Sequence, residues 1–164
     1  MLIITERVPG EGSSDDRLVL PFDQRQKSRL RVRLESGDEA ALSVERGVVL
    51  RGGDRLRAGD GRIVLVVAAK EPVTLVTAHD QRDLMRAAYH LGNRHIPLQI
   101  GIGWILLEQD HVLEHMLEGL GVQCRHELAP FEPEAGAYGG GHHHHGDDGH
   151  GHGHDHAHGH HHHD

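Results

Sequence analysis

The stretch Val73–Leu128, VTLVTAHDQRDLMRAAYHLGNRHIPLQIGIGWILLEQDHVLEHMLEGLGVQCRHEL, decides the fold. Val73–Thr77 reads as a strand. Asp80 is suited to an N-cap, and Leu84, Ala87, Ala88 and Leu91 then recur at helical spacing up to Gly92-Asn93. Pro97 keeps that helix from continuing far. Leu98–Ile100 and Trp104–Leu107 read as two strands turned at Gly101-Ile102-Gly103. Asp110 caps a second helix with Val112, Leu113, Met116, Leu117 and Leu120 on its apolar stripe, and Gly121 ends it. Val122–Leu128 is the last strand. The order β-α-β-β-α-β predicts a ferredoxin-like split βαβ domain over 71–138, inside an α+β chain. Two helices cover one face of such a sheet. The other face must be solvated or covered, and a second copy of the domain is one economical cover.

Upstream of Glu71-Pro72 the pattern is different. Leu2–Thr5, Leu18–Pro21, Leu30–Leu34, Ala41–Val44, Val48–Leu50 and Ile63–Ala68 read as short strands separated by Gly-containing breaks. Residues 1–70 are therefore expected to form a small β-sandwich or barrel-like domain, with Ile63–Val67 as a central, doubly buried strand. Arg25, Lys27, Arg29, Arg31 and Arg33 fall on every second residue. A strand would put all five on one side, as a solvated face or as a docking stripe for an acidic partner. Downstream, residues 129–138 (APFEPEAGAY) hold two prolines and read as an extended strap.

Residues 139–164 are expected to be a disordered, metal-binding tail. From His142 onward the tail holds 13 of the 19 histidines, with almost nothing else but Gly and Asp. They are His142, His143, His144, His145, His150, His152, His154, His156, His158, His160, His161, His162 and His163. With no apolar residue beyond Ala157, the segment cannot bury surface to offset the entropy of ordering. It offers imidazole at high local density, which is a signal for divalent transition metals. A purification tag is normally one uninterrupted run, whereas no run here exceeds four histidines.

Composition narrows the function classes. The N-terminus MLIITERVPGEG lacks the apolar core of a signal peptide. No apolar run approaches the roughly 18 residues needed to span a bilayer, so a soluble cytoplasmic protein is expected. One cysteine, Cys124, excludes an internal disulfide framework and a Cys-rich zinc site. Residues 1–70 carry 13 Lys/Arg against 11 Asp/Glu, whereas 71–138 carry 4 against 10. An acidic second half argues against nucleic-acid binding and suits cation handling.

Six histidines lie outside the tail: His79, His90, His95, His111, His115 and His126. His95 is held between a helix end and Ile96-Pro97, a rigid corner that can present a side chain with little entropy left to lose. His111 and His115 form an i, i+4 pair that can share a metal from one helix face. His90 suits the helix dipole, and His79 and His126 have no partner nearby in sequence. There is no HExxH, GxSxG or P-loop pattern, so no enzyme is expected.

Tyr89-His90-Leu91-Gly92-Asn93-Arg94-His95-Ile96-Pro97-Leu98-Gln99 resembles the central signature of UreE-type urease accessory proteins. So do Asp110-His111-Val112-Leu113, the strap Pro130–Tyr138, Lys27-Ser28-Arg29, and Arg46-Gly47 with Leu50-Arg51-Gly52-Gly53-Asp54. The resemblance implies a homodimeric nickel metallochaperone. Its N-terminal β domain would engage partners, and its clients would be apo-urease and the other accessory proteins. It further implies that His95 forms a shared site across the dimer interface and that His111 is a peripheral metal-site residue. Some relatives have a second histidine two positions before the latter. Here that position is Gln109, with His115 as the substitute the sequence offers.

Imidazole and carboxylate suit Ni²⁺, but an unbiased site would favour Cu²⁺, and zinc would also bind. The tail is therefore expected to act as a multisite buffer that raises the effective metal concentration near His95. Imidazole must be neutral to bind, and its ordinary pKa is about 6.5, so loading should fall as pH drops towards 5. The rival reading is a general Ni/Cu/Zn storage or detoxification protein without a urease client. It explains the tail equally well, but not the β domain.

Overall fold

The structure is a computed structural model that describes residues 1–136. The expected disordered tail, with His142 to His163, lies outside the described residues. The protein is α+β and strand-rich. Residues Met1–Glu134 form one compact unit built on two sheets.

The first sheet comprises β1 (Leu2–Val8), β2 (Asp16–Leu20), β3 (Arg29–Arg33), β4 (Glu39–Ser43), β5 (Arg55–Ala58) and β6 (Ile63–Ala68). A short helix, α1 (Phe22–Arg25), joins β2 to β3. The strand order is β2-β6-β5-β1-β4-β3, with β1 parallel to β4, β2 parallel to β6, and the other pairs antiparallel. Alternate residues turn inward, and both outermost strands supply the same core: Leu18 and Leu20 from β2, Val32 from β3. They meet Ile4, Ala40, Leu42, Leu56, Val64 and Val66, so the sheet curls around one interior like a nearly closed barrel. The Glu35 N–H donates to the Arg17 carbonyl across the gap at 2.9 Å.

Three expectations for this half are corrected. Val48–Leu50 is not a strand; its place in the sheet is taken by Arg55–Ala58. Leu50 is fully buried, and its carbonyl accepts from Arg25 rather than from a neighbouring strand. β6 is interior to the sheet but not doubly buried, because Leu65 and Val67 on its outer face remain half-buried. Arg25 does not belong to the cationic stripe, because it ends α1 and is fully buried. Only Arg29, Arg31 and Arg33 share an outward strand face.

The second sheet comprises β7 (Lys70–Thr77), β8 (Gln99–Gly101), β9 (Trp104–Glu108) and β10 (Gln123–Pro130), with α2 (Gln81–Asn93) and α3 (His111–Gly119) as the connections. The β-α-β-β-α-β order is the one expected. The strands lie β10-β7-β9-β8, all antiparallel. Val76, Ile105 and Leu107 on one face pack with Leu84, Ala87, Leu91 and Leu117 of the helices. β10 is longer than expected, taking Ala129 and Pro130 from the strap.

The opposite face is covered in part by the chain itself. Val73 and Leu106, with Leu75 and Trp104, meet Phe22 and Val49 from the first half and Phe131 from the strap. Phe131 is fully buried, edge-on to Phe22 at 5.4 Å between ring centroids. Such a pair contributes roughly 0.5–1.5 kcal/mol beyond the area it buries. The second copy expected as a cover is not needed on that part of the face.

Candidate metal-handling site

His95 sits where α2 ends, and the backbone there explains its presentation. Asp80 caps the start of α2, its side chain accepting from the Arg82 N–H at 2.8 Å. At the other end the Ile96 N–H returns to the Leu91 carbonyl (3.2 Å) and the His95 N–H to the Gly92 carbonyl (3.0 Å). These two bonds are the 6→1 and 5→2 pair of a Schellman cap, and Ile96 packs against the core cluster that includes Leu91. The residue after the C-cap must then adopt a left-handed conformation, normally as glycine. Here it is His95, at φ 57°, the one non-glycine residue with positive φ among the described residues. Its side chain is exposed.

A left-handed histidine costs on the order of 1 kcal/mol, a strain that persists only where the surroundings impose it and that clusters at functional positions. Pro97 and the buried Leu98 fix the next turn of chain. The imidazole therefore projects from a corner held on both sides.

His111 and His115 are both exposed on α3, one turn apart. Asp110 accepts from the Val112 and Leu113 N–H groups at 2.9 and 3.1 Å, which fixes that helix start. Gln109 is committed elsewhere, its amide donating to the Val73 carbonyl at 3.2 Å. Among the described residues, no group of three or more His, Cys, Asp or Glu side chains converges in a way that could hold a metal. Among the described residues, His95 and His111 are thus each presented singly, and neither meets a complete ligand set.

Some partnerships were missed from sequence. His126 bonds Glu114 of α3 at 2.8 Å, and the same carboxylate accepts from the buried Thr74 hydroxyl. The β10–β7 register sets His126 opposite Thr74, a pairing that needs the topology to be known. His79 pairs with Gln123 at 3.1 Å. Burial, and secondarily Glu114 and Glu118, push the Cys124 thiol up to about 11. It is therefore a poor metal ligand at neutral pH, where the thiolate is the coordinating form.

The strap is the other element that bears on the site. Buried Arg25 donates to the carbonyls of Leu20 (3.2 Å), Leu50 (3.0 Å) and Phe131, and pairs with Glu132. The Glu132 N–H donates to Gln99 Oε1 (2.9 Å), and the Glu134 N–H to the Leu98 carbonyl (2.7 Å). The chain is thereby tied down through Glu134 at a point three residues beyond His95.

Two family models divide the chain between them. Residues 4–69 match the N-terminal domain of the UreE urease accessory protein, and 71–163 its C-terminal domain. The chain belongs to the UreE family of urease accessory proteins. The second match spans the histidine-rich segment. A UreE urease accessory protein of Alkalilimnicola ehrlichii is 54% identical over 140 residues, covering 85% of this chain and 86% of that one. That of a Janthinobacterium species is 54% identical over 139 residues, covering 85% and 82%. That of Cupriavidus necator is 61% identical over 126 residues, covering 77% and 66%. The family is one of accessory proteins and not of catalytic urease subunits, which places this UreE chain in urease maturation. No helix among the described residues is long and apolar enough to cross a membrane.

Proposed function

We propose that this protein is a nickel metallochaperone, not an enzyme, that donates Ni²⁺ during assembly of the urease metallocentre. The observation that carries the reading is His95: a strained, exposed imidazole at a rigid corner, with no converging set of further ligands among the described residues. One nitrogen cannot retain a metal. Two, supplied by a pair of chains, leave coordination positions open for exchange, which is what a donor requires.

A homodimer is part of the proposal. The helix that ends at His95 carries Met85 and Tyr89 one turn apart, each 66% exposed, and Ile100 and Ile102 of the following hairpin are also exposed. Exposed large apolar residues on the helix before His95 and the hairpin after it suit a covered interface. The second domain is read as ferredoxin-like, a reading supported by its strand order and its two connecting helices.

The tail histidines, in this proposal, buffer metal and complete the site. Seven residues separate Glu134 from His142, a span of at most about 28 Å over eight Cα steps, and Leu98 lies within about 11 Å of chain from His95. Chain length therefore allows the first histidine cluster to reach the corner. His111, alone or with His115, is proposed as a secondary peripheral ligand. A cytoplasmic location fits delivery to an assembling enzyme.

Calorimetric titration with Ni²⁺, Cu²⁺ and Zn²⁺ tests the scheme on the intact chain, on the chain ended after Tyr138, and on the shortened chain carrying His95→Ala. Shortening should lower the stoichiometry and leave one site per dimer, and His95→Ala should remove most of that remainder. Full stoichiometry after shortening would refute the buffer. A storage protein would show no nickel-dependent binding to an apo-urease assembly.

A further inference from the structure

We propose that the outer face of β3, β4 and β1 is a docking surface for an extended acidic segment of a partner protein. Arg29, Arg31 and Arg33 are exposed, and the intervening Leu30 and Val32 point inward, so the three guanidinium groups stand in one row. Alternate residues of a strand lie about 6.6–6.8 Å apart. That is also the spacing of alternate side chains in an extended ligand.

Beside the row the surface is low. Arg29 is opposite Ser43, Arg31 opposite Ala41 and Arg33 opposite Glu39. Ala41 is in turn paired with Ile3 of β1, which is 52% exposed, and Met1 beside it is 76% exposed. Arginines thus border a strip that is low at Ser43 and Ala41, is closed at one end by the exposed Glu39, and has apolar side chains on its far side. A segment alternating carboxylates with apolar residues fits both features.

The electrostatics point the same way. Arg7, Arg17, Arg57 and Arg62 of this half are paired with carboxylates. Arg29 and Arg31 have no carboxylate within ion-pair distance among the described residues, although the chain carries a net charge of −8. Arg33 meets only the exposed Glu39, at 3.1 Å. Guanidinium is also the cation whose fork matches a carboxylate two bonds at a time. A polyanionic nucleic acid is disfavoured by the acidic remainder of the molecule. Charges on an outermost strand also discourage edge-to-edge aggregation, but that role is served by any charged side chain.

The test uses the full chain, metal-free, at low salt, with a fluorescent peptide of alternating Glu and Val as the probe. Measurable binding is expected. It should fall at least tenfold in Arg29→Glu/Arg31→Glu, at least threefold in Arg29→Gln/Arg31→Gln, and little in Arg46→Glu/Arg57→Glu, which changes net charge equally elsewhere. Amide shifts in the bound state should centre on Arg29–Arg33, Ala41 and Ser43. Equal losses in both charge-reversed pairs would overturn the proposal as mere net-charge attraction. So would shifts confined to other residues, or an oligonucleotide that binds as tightly as the peptide. Metal is absent throughout, so the outcome is independent of the nickel reading.

Discussion

Replacing His95 by glycine should stabilise the fold while removing the proposed transfer ligand. The residue occupies the left-handed position of a Schellman cap at φ 57°, where an L side chain costs about 1–2 kcal/mol. Histidine tolerates this region better than most residues, so the lower end applies. Glycine relieves that strain but loses more conformational freedom on folding, which costs about 0.5–1 kcal/mol. The net gain for His95→Gly is then at most about 0.5 kcal/mol. His95→Ala keeps the strain, so it should lie at or slightly below the parent. For a compact unit of this size, 1 kcal/mol corresponds to roughly 3–5 °C in Tm. Thermal and urea unfolding of the metal-free full chains would measure the order Gly above parent, parent at or above Ala. Nickel titration of the same samples should show both variants equally depleted at the site. If glycine were no more stable than alanine, the corner is not held left-handed by its cap and the strain argument is wrong.

Four further outcomes can be checked directly. Arg25→Met should destabilise the protein by about 3–5 kcal/mol in urea unfolding, because it leaves Glu132 and three carbonyls without their donor. Gly101→Ala places a Cβ into the indole ring of Trp104, so it should cost about 1–3 kcal/mol and shift the emission of the chain's single tryptophan. The Cys124 thiolate, followed by ultraviolet absorbance, should titrate near 11, and a midpoint near 8.5 would contradict its surroundings. Because the folded value is raised, the stability contribution is complete below the unfolded value and is lost as pH climbs from about 9 to about 11. Removing the Asp80 cap with Asp80→Ala should cost about 1 kcal/mol and loosen the helix that ends at His95.

The second half was legible because each of its signals is local. Asp80 and Asp110 cap α2 and α3 as their side-chain types suggest, and the apolar spacing of Leu84, Ala87 and Leu91 is the buried face found. His95 was singled out from its place between a helix end and a proline. Its left-handed backbone was not, since nothing in the sequence replaces the expected glycine except the histidine itself. The first half was read less well. Arg55–Ala58, RLRA, is a four-residue strand with two arginines and escapes an apolar search. Val48–Leu50 is apolar because Val49 and Leu50 are packed by other elements, not because it pairs. Arg25 misled for a different reason. Period two ran through it by coincidence, and its burial depends on Glu132, 107 residues away.

That long-range pair gives the anchoring of the strap its physical meaning. Glu132 spends its carboxylate on Arg25, and the Glu132 and Glu134 amides are bonded to Gln99 and the Leu98 carbonyl. A strap held at three points cannot drift from the turn that presents His95. Under the proposed function, this matters because effective concentration falls steeply once a tether exceeds the span it must bridge. A tail anchored at Val122, before β10, would need the length of that strand in addition. Anchoring at Glu134 instead fixes the chain at the Leu98 carbonyl, three residues beyond His95. Under the same proposal, the histidine-rich segment would capture metal at many weakly selective imidazoles, whereas the rigid corner at His95 would set where the metal leaves. Loosening the strap with Glu132→Gln should therefore slow transfer from tail to corner in stopped-flow nickel exchange, with total nickel bound unchanged. An unaltered rate would separate the anchor from the transfer.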